Sequence, residues 1–334
     1  MTTLTAYAPF NVNTFPFAPG ATTFPIATST HVREVWGNTE SNYYGTGFTF
    51  GFDPISGGYY LAGGIMTGAD HRVAGVQQFE VTGLNHSAAT IYGYLVAENA
   101  VGLFSYVGSG ADTFIGSSGN DVVYGYDGND VMSGGAGNDT ARGDAGNDVL
   151  DGGAGVDTAL YSGNRTSYTV TKTSTGYTAG GGVDGTDTLT GVERLQFTDK
   201  SLALDMGVSE AGGKTALLLG ACLGANGLSE KATVGAILDY FDGGYTLTDA
   251  ATALVSAGIV AQLAGGTDNK HFVDWMALNL VDALPDAATE AVLIEFITSG
   301  QFTQATFLAT LAGHQINQDH IGLVGLQDNG MEYV

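Results

Sequence analysis

The sequence predicts a mainly β protein with a parallel β-roll at its centre, a β region before the roll and a small α-helical bundle after it. Three observations carry this prediction: a nine-residue glycine–aspartate repeat in the middle, alternating aromatic and polar residues before it, and an alanine- and leucine-rich stretch of helical period after it. The expected parts are an extended arm (1–30), an N-terminal β domain (31–106), the β-roll (107–160), its C-terminal cap (161–206) and a helical domain (207–334).

The charge of the chain limits its partners. Ten basic residues face 34 acidic ones, which gives a formal net charge of −24 among 334 residues. Such a surface repels nucleic acid and anionic membranes, and it suits divalent cations. The single cysteine, Cys222, allows no intrachain disulfide and is expected to be a buried apolar residue. Stability outside a cell would then need another source, for which bound metal is the obvious candidate.

The first hundred residues divide into an arm and a sheet. Residues 6–29 combine four prolines with four phenylalanines, which indicates an extended apolar arm that docks either on a neighbouring subunit or on its own domain. The alternating runs Asn42–Phe52 and Gln77–Val81 predict β-strands. Aromatic residues such as Tyr43 and Tyr44 would form the buried face of that sheet, or alternatively a surface that binds sugars.

The repeat places glycine at its first and fourth positions, aspartate at its sixth and an apolar residue at its eighth. Five consecutive copies begin at Gly116, Gly125, Gly134, Gly143 and Gly152, and the apolar residue of the last copy is Ala159. An earlier copy has Val107 in the first position. The glycines permit positive φ and close backbone approach, so that each unit is a six-residue turn followed by a short strand. A flexible acidic linker, the alternative, would not keep four positions in phase through five copies.

Two such units form one coil, so equivalent turns recur at every second repeat. Stacked strands lie about 4.8 Å apart, which would place Asp112 over Asp130 and Asp121 over Asp139. Two carboxylates at this distance repel by about 3 kcal/mol at an effective dielectric constant near 20. A hard cation with oxygen ligands removes the repulsion, and Ca²⁺ fits better than Mg²⁺ because it accepts six to eight oxygens in flexible geometry. The stacking therefore predicts several bound Ca²⁺ ions, about four or more.

At these residues the chain resembles the RTX family of hemolysin-type calcium-binding repeats, Gly-Gly-x-Gly-x-Asp-x-apolar-x. The resemblance implies a β-roll with Ca²⁺ between its turns, secretion by a type I system through an uncleaved C-terminal signal, and folding in extracellular calcium. Departures from the motif occur at Val107, Ser117, Tyr126 and Asp144, and at two inward alanines. The metal-site residues carried over by position are Asp112, Asp121, Asp130, Asp139, Asp148, Asp157 and Asp187, with Gly116, Gly125, Gly134, Gly143 and Gly152 in the turns.

The resemblance extends beyond the repeat. Residues 157–163 and 185–197 resemble the β cap that closes such rolls, and the helical tail resembles a domain of unknown function found in bacterial surface and RTX proteins. The pattern predicts a helix over Phe272–Leu284 that Pro285 ends, followed by helices at Ala287–Ile297 and Thr306–Ala312. The last three residues, 332–334, are compatible with a type I secretion signal. The expected helix N-caps are Ser209, Ser229, Thr248, Asp286 and Thr303.

No catalytic motif stands out, and the chain is predicted not to be an enzyme. None of the six histidines begins His-Glu-x-x-His, and no Gly-x-Ser-x-Gly elbow occurs. His71 and His86 are expected to be surface or turn residues rather than ligands. No conventional signal peptide is expected at the N-terminus.

The leading function is a secreted structural protein of the bacterial surface or extracellular matrix, stabilised by calcium and self-assembling into a layer or filament. The expected partners are further copies of the chain, bound through the arm or the helical domain, and the type I secretion machinery. The principal alternative is a calcium-dependent adhesin or carbohydrate-binding module whose partner is a surface glycan. An enzyme of an unrecognised type is third, and nucleic acid is not expected as a partner.

Overall fold

A computed structural model describes residues 3–6, 26–27, 31–36, 39–53, 58–73, 76–87 and 108–334. The chain divides into two compact units, Met1–Asp199 and Lys200–Val334. The first unit holds the β structure that precedes, forms and caps the roll. The second unit holds the helices. Most of the predicted arm lies outside the described residues.

The N-terminal strands form an antiparallel sheet in the order β2-β3-β4-β5-β6-β1. The alternating runs predicted as strands lie in β4 and β6. Strand β1, although first in sequence, lies between β6 and the first strand of the roll. The strands are β1 (Thr3–Ala6), β2 (Ile26–Ala27), β3 (His31–Trp36), β4 (Thr39–Asp53), β5 (Gly58–Val73) and β6 (Val76–Ser87).

The side chains of this sheet are described only in part. Tyr43 is half-buried and Tyr44 is exposed. The backbones of His71 and His86 lie in β5 and β6, but their side chains fall outside the described residues.

The repeats form a parallel roll with two sheets. One sheet contains β7, β9 and β11, the other β8, β10 and β12, and consecutive strands of the chain alternate between them. Each strand pairs with the strand two repeats later, as Thr140 does with Thr158, which confirms the predicted coil. The strands are β7 (Thr113–Ile115), β8 (Val122–Tyr124), β9 (Val131–Ala136), β10 (Thr140–Arg142), β11 (Val149–Ala154) and β12 (Thr158–Leu160).

The eighth repeat position faces the interior of the roll. Phe114, Met132 and Leu150 stack in register within one sheet, and each is at most 5% exposed. Across from them, Val123 and Ala159 are buried in the other sheet. One apolar side chain per repeat makes a thin core, because the turns contribute mainly glycine and polar residues. The roll therefore needs a further source of stability.

The cap continues both sheets of the roll after a longer connection. Leu189 in β15 pairs with Leu150, and Leu195 in β16 pairs with Ala159. In both pairs the residues are farther apart in the sequence than the two repeats that separate paired strands within the roll. The added residues form an antiparallel hairpin over β15, and Tyr161, Tyr168 and Phe197 pack together beside it. The strands are β13 (Tyr168–Lys172), β14 (Tyr177–Gly181), β15 (Gly185–Thr190) and β16 (Arg194–Gln196).

The second unit is a bundle of helices with a short β pair. Strands β17 (Ser201–Ala203) and β18 (Met331–Tyr333) are antiparallel. The core surrounds α1, where Leu217, Leu218 and Cys222 are buried with Phe272 of α5 and Leu308 of α7. The helices are α1 (Ala211–Leu223), α2 (Lys231–Asp242), α3 (Leu247–Ser256), α4 (Ile259–Ala264), α5 (Asn269–Val281), α6 (Ala287–Thr298), α7 (Gln304–Ala312), α8 (Gln315–His320) and α9 (Leu323–Asn329).

The helix starts differ in part from the sequence prediction. The side chains of Asp286 and Thr303 cap α6 and α7, as predicted. The prediction for Thr248 is wrong, because Thr246 accepts the capping bond from the amide of Asp249. The predictions for Ser209 and Ser229 are also wrong, since α1 and α2 follow acidic residues that make no side-chain capping bond. Among the described residues, no helix has both the length and the apolar character needed to cross a membrane.

The close stacking of the turns predicts a strong effect of one methyl group. A Cβ atom at Gly146 would lie 1.5 Å from the carbonyl oxygen of Gly128 in the preceding coil. We expect Gly146→Ala to lower the free energy of unfolding in saturating Ca²⁺ by about 1–3 kcal/mol or more, since the backbone has to move. Thermal unfolding followed by circular dichroism measures it. Gly325→Ala in α9, where a Cβ meets nothing within 4 Å, is the control and should leave stability unchanged or raise it by up to about 1 kcal/mol, because alanine favours a helix interior. An equal loss of stability in both variants would contradict the stacking.

Candidate metal centre

Two rows of aspartates run along the two sides of the roll where the turns stack. In each row, the Oδ1 atom of one aspartate accepts a hydrogen bond from the backbone N–H of the aspartate one coil earlier. Within the roll this bond holds each carboxylate against the neighbouring coil at the predicted spacing of two repeats, and Asp187 of the cap joins the first row after a longer connection. The donor–acceptor distances are 2.8 Å for Asp112 to Asp130, 2.7 Å for Asp121 to Asp139, 2.8 Å for Asp130 to Asp148, 2.7 Å for Asp139 to Asp157 and 3.0 Å for Asp148 to Asp187.

In four of these carboxylates the second oxygen is buried without a hydrogen-bond donor among the described residues. The Oδ2 atoms of Asp130, Asp139, Asp148 and Asp157 find no partner within the part of the chain that the structure describes. All four side chains belong to residues that are at most 5% exposed. A buried, unsatisfied carboxylate oxygen is costly, so these atoms fit the donor set of a cation site.

In several turns the first glycine of the repeat leaves room beside this oxygen. A Cβ atom at Gly125 would lie 2.5 Å from Oδ2 of Asp130 and 2.7 Å from the carbonyl oxygen of Gly143. At Gly134 the corresponding distances are 2.4 Å to Oδ2 of Asp139 and 2.5 Å to the carbonyl oxygen of Gly152. A carboxylate and a carbonyl from the next coil therefore converge on one small space that any side chain would fill.

The electrostatics of the rows are unfavourable without a cation. Burial raises the pKa of Asp130 to about 7, and the neighbouring carboxylates of Asp148 and Asp112 add to the rise against the opposing amide hydrogen bond. The same causes raise the pKa of Asp139 to about 6. Burial also raises the pKa of Asp187 to about 7. The pKa values of Asp148 and Asp157 are raised as well, mainly by burial.

The donor set fits Ca²⁺. Carboxylate and backbone carbonyl oxygens are the ligands that this ion prefers, and its coordination is flexible enough for turns of differing sequence. Among the described residues, no three His, Cys, Asp or Glu side chains gather as a metal-binding cluster. Carboxylate and carbonyl oxygens of successive turns converge instead, as they do beside Gly125 and Gly134.

The predicted site residues fall in two separate rows. Asp112, Asp130, Asp148 and Asp187 form one row, and Asp121, Asp139 and Asp157 form the other. The five predicted glycines lie at the first positions of the corresponding turns. The roles of these aspartates and glycines in binding metal remain predictions.

Sequence reasoning missed two parts of this arrangement. Glu193 ends the second row, where Oε2 accepts the N–H of Asp157 at 2.9 Å. It lies well beyond the nine-residue pattern, so no spacing pointed to it. The residue before the aspartate also stacks: Asn120, Asn129, Asn138 and Asn147 each accept, through Oδ1, the backbone N–H one coil later. The recurring Gly-Asn-Asp was the available signal for that ladder.

The departures from the motif at the second position have distinct local consequences. Ser117 donates from both its N–H and its Oγ to Oδ2 of Asp121, at 2.7 and 3.0 Å. Tyr126 and Asp144 adopt φ values of 70° and 61°, in the left-handed region that favours glycine. Arg142 forms an ion pair with Asp144 at 2.7 Å. The row that contains Asp130 and Asp148 therefore has more strained and more acidic turns than the other.

Comparison with known proteins agrees with this geometry. Residues 106–141 and 127–159 match the family model of the RTX calcium-binding nonapeptide repeat, in four copies. No curated protein matches the chain. The centre of the chain is thus an RTX repeat, a motif that binds Ca²⁺ and is typical of secreted proteins.

Removing one row carboxylate should weaken calcium binding. We expect Asp130→Asn to lower the apparent affinity about 10- to 100-fold, because a charge-assisted contact contributes about 1.5–3 kcal/mol. Isothermal titration calorimetry of the full chain measures it. Asp127→Asn is the matched control, since Asp127 is exposed in the same turn and its substitution removes the same charge. An equal loss in both variants would show that net charge, not the buried site, determines affinity.

The raised pKa values predict how stability depends on pH without metal. A carboxyl group with a folded pKa of about 6–7 and an unfolded pKa near 3.8 binds more protons when folded between these values. In chelator, its contribution to stability is therefore complete below about pH 4 and is lost as the pH rises through 6–7. Thermal unfolding at pH 5 and pH 8 should give the higher midpoint at pH 5.

Ca²⁺ should reverse this order, because it binds the ionised carboxylates. The double variant Asp130→Asn, Asp139→Asn separates the titration of the row carboxylates from general charge repulsion. In chelator, its unfolding midpoint should depend less on pH than that of the natural chain. A midpoint that rises with pH in chelator would contradict the burial of these groups.

Proposed function

We propose that this chain, whose centre is an RTX calcium-binding repeat, is a secreted structural protein of the bacterial surface or extracellular matrix that calcium folds and that then self-assembles. The observation that carries the proposal is the pair of aspartate rows, in which the buried Oδ2 atoms of Asp130, Asp139, Asp148 and Asp157 have no protein donor among the described residues. Such a roll gains stability from Ca²⁺ rather than from its thin apolar core.

Calcium would act as the signal for folding outside the cell. RTX repeats are typical of secreted proteins, and extracellular modules commonly bind Ca²⁺ with dissociation constants of about 10⁻⁴–10⁻³ M. At the low calcium of a cytosol, repulsion within the rows keeps the roll open. A type I secretion system, which transports unfolded chains, is the proposed export partner.

The helical unit offers one surface for association between copies. An apolar depression of about 390 Å³ lies among α5, α6 and α7, and its rim includes the exposed side chains of Val281, Leu284 and Ile316. Helix α6 itself contains no fully buried residue. Exposed apolar surface of this kind favours contact with another protein. Among the described residues that line the depression, His314 is the one ionisable side chain, so no pair of acid and base groups faces it there.

A calcium-dependent adhesin or carbohydrate-binding module is the second candidate. Tyr44 is 42% exposed on β4, and aromatic rings on a sheet surface suit the stacking of sugars. A surface glycan would then be the partner. Binding of the chain to an array of glycans tests this candidate directly. Calcium-dependent binding to a glycan that Tyr44→Ala abolishes would favour this candidate over assembly.

The first test of the assembly proposal is light scattering while the purified full chain passes from chelator into a few millimolar Ca²⁺. We expect growth into large particles that chelator reverses. The variant Asp130→Asn, Asp139→Asn should need more Ca²⁺ for the same growth, whereas Asp127→Asn should behave as the natural chain. Compaction to a folded monomer would overturn self-assembly and leave the binding module as the better candidate.

A further inference from the structure

Strand β1 fills a slot between two other strands of the first unit. Its residues pair antiparallel with β6, Thr3 opposite Thr82 and Leu4 opposite Val81. On its other side β1 pairs in parallel with β7, Thr3 opposite Thr113. Four residues thus join the N-terminal sheet to the roll, and the combined sheet is continuous across them.

The slot has two open edges when β1 is absent. Strands β6 and β7 would each present a row of unpaired N–H and C=O groups, which readily bind an extended segment of another chain. The edge of β7 belongs to the first coil of the roll, where Phe114 is buried and stacks on Met132. A strand in the slot therefore also protects the first layer of the roll's core.

The connection to β1 is long and rich in proline. Both neighbours of β1 lie far along the chain, since Thr3 pairs with Thr82 on one side and with Thr113 on the other. The segment between β1 and β2 includes four of the chain's six prolines, at positions 9, 16, 19 and 25. A long tether lowers the effective concentration of a strand at its own slot, which favours entry of the strand of another copy.

We propose that the slot between β6 and β7 also accepts β1 of a second copy of this chain, so that copies assemble by exchanging this strand. The exchanged strand would make the same backbone hydrogen bonds as the strand of the same chain, so exchange requires no new interface. This inference rests on the proposed self-assembly and names the surface it uses.

The geometry determines when exchange occurs and what it forms. The strand of one copy enters the slot of the next, a head-to-tail contact that produces an open chain of copies unless the rotation closes a ring. The slot exists only when calcium has folded the roll, because β7 is part of its first coil. Exchange competes with pairing in the same chain, and it becomes appreciable as the local concentration approaches the effective concentration, on the order of millimolar.

Thiol crosslinking of full-length chains tests the exchange. One preparation carries Thr3→Cys and another Thr82→Cys, since opposite residues of an antiparallel pair have Cβ atoms about 4.5–5.5 Å apart. The native Cys222 is buried and burial raises its thiol pKa to about 12, so it stays unreactive at neutral pH. The two preparations are mixed in chelator, transferred into Ca²⁺ and treated with a short thiol crosslinker. Thr169→Cys, exposed in β13, replaces Thr82→Cys in the collision control.

We expect a covalent dimer of the Thr3→Cys and Thr82→Cys chains, at several times the yield of the control, rising with protein concentration and absent in chelator. The double variant Thr3→Cys, Thr82→Cys should close within one chain at low concentration, which verifies the pairing itself. A dimer yield no higher than that of the control at any concentration would overturn the inference, as would failure of the double variant to close.

Light scattering on the same samples separates the inference from the proposed function. Growth in Ca²⁺ without the specific crosslink would mean that copies assemble through another surface, such as the helical depression. If the samples show neither growth in Ca²⁺ nor the specific crosslink, both proposals are wrong.

Discussion

Repulsion between stacked carboxylates is the constraint on which the roll depends. The amide of one aspartate binds the carboxylate of the next coil, so the backbone ladder forces like charges into two rows with a spacing of one coil. Burial makes those charges more costly, as the raised pKa of Asp130 shows. Protons can relieve the rows at low pH and Ca²⁺ can relieve them at neutral pH. The same atoms therefore make the fold unstable alone and make it responsive to calcium.

Glycine makes this arrangement possible in two different ways. At Gly125, Gly134 and Gly152 the first glycine of the repeat leaves space where a carboxylate and a carbonyl oxygen converge. The fourth glycine lets successive turns approach, as at Gly128 and Gly146, where a Cβ would overlap a carbonyl oxygen of the neighbouring coil. Where glycine is replaced at the second position, by Tyr126 or Asp144, the backbone keeps the left-handed conformation and Arg142 offsets the added carboxylate of Asp144.

The two units obtain their stability by different means. The helical unit buries Leu217, Leu308 and Phe272 in a conventional core, and its buried Asn317 donates to two backbone carbonyls. The roll buries about one apolar side chain per repeat, and its turn amides bind ladders of aspartate and asparagine oxygens while four buried Oδ2 atoms keep no donor among the described residues. The core described for Lys200–Val334 consists of apolar side chains rather than stacked carboxylates, so the two units differ in the source of their stability.

The sequence by itself determined the roll, because a nine-residue period with glycine and aspartate in phase allows few other structures, and the helices of the tail followed from their period and from caps such as Asp286. It did not reveal the N-cap Thr246 or the row end Glu193, since capping depends on local backbone geometry and Glu193 reaches its row only after a long connection through the cap. Only the tertiary structure decided where β1 lies. Pairing between strands that are far apart in the sequence depends on which edges the rest of the fold leaves open, and no local pattern records that.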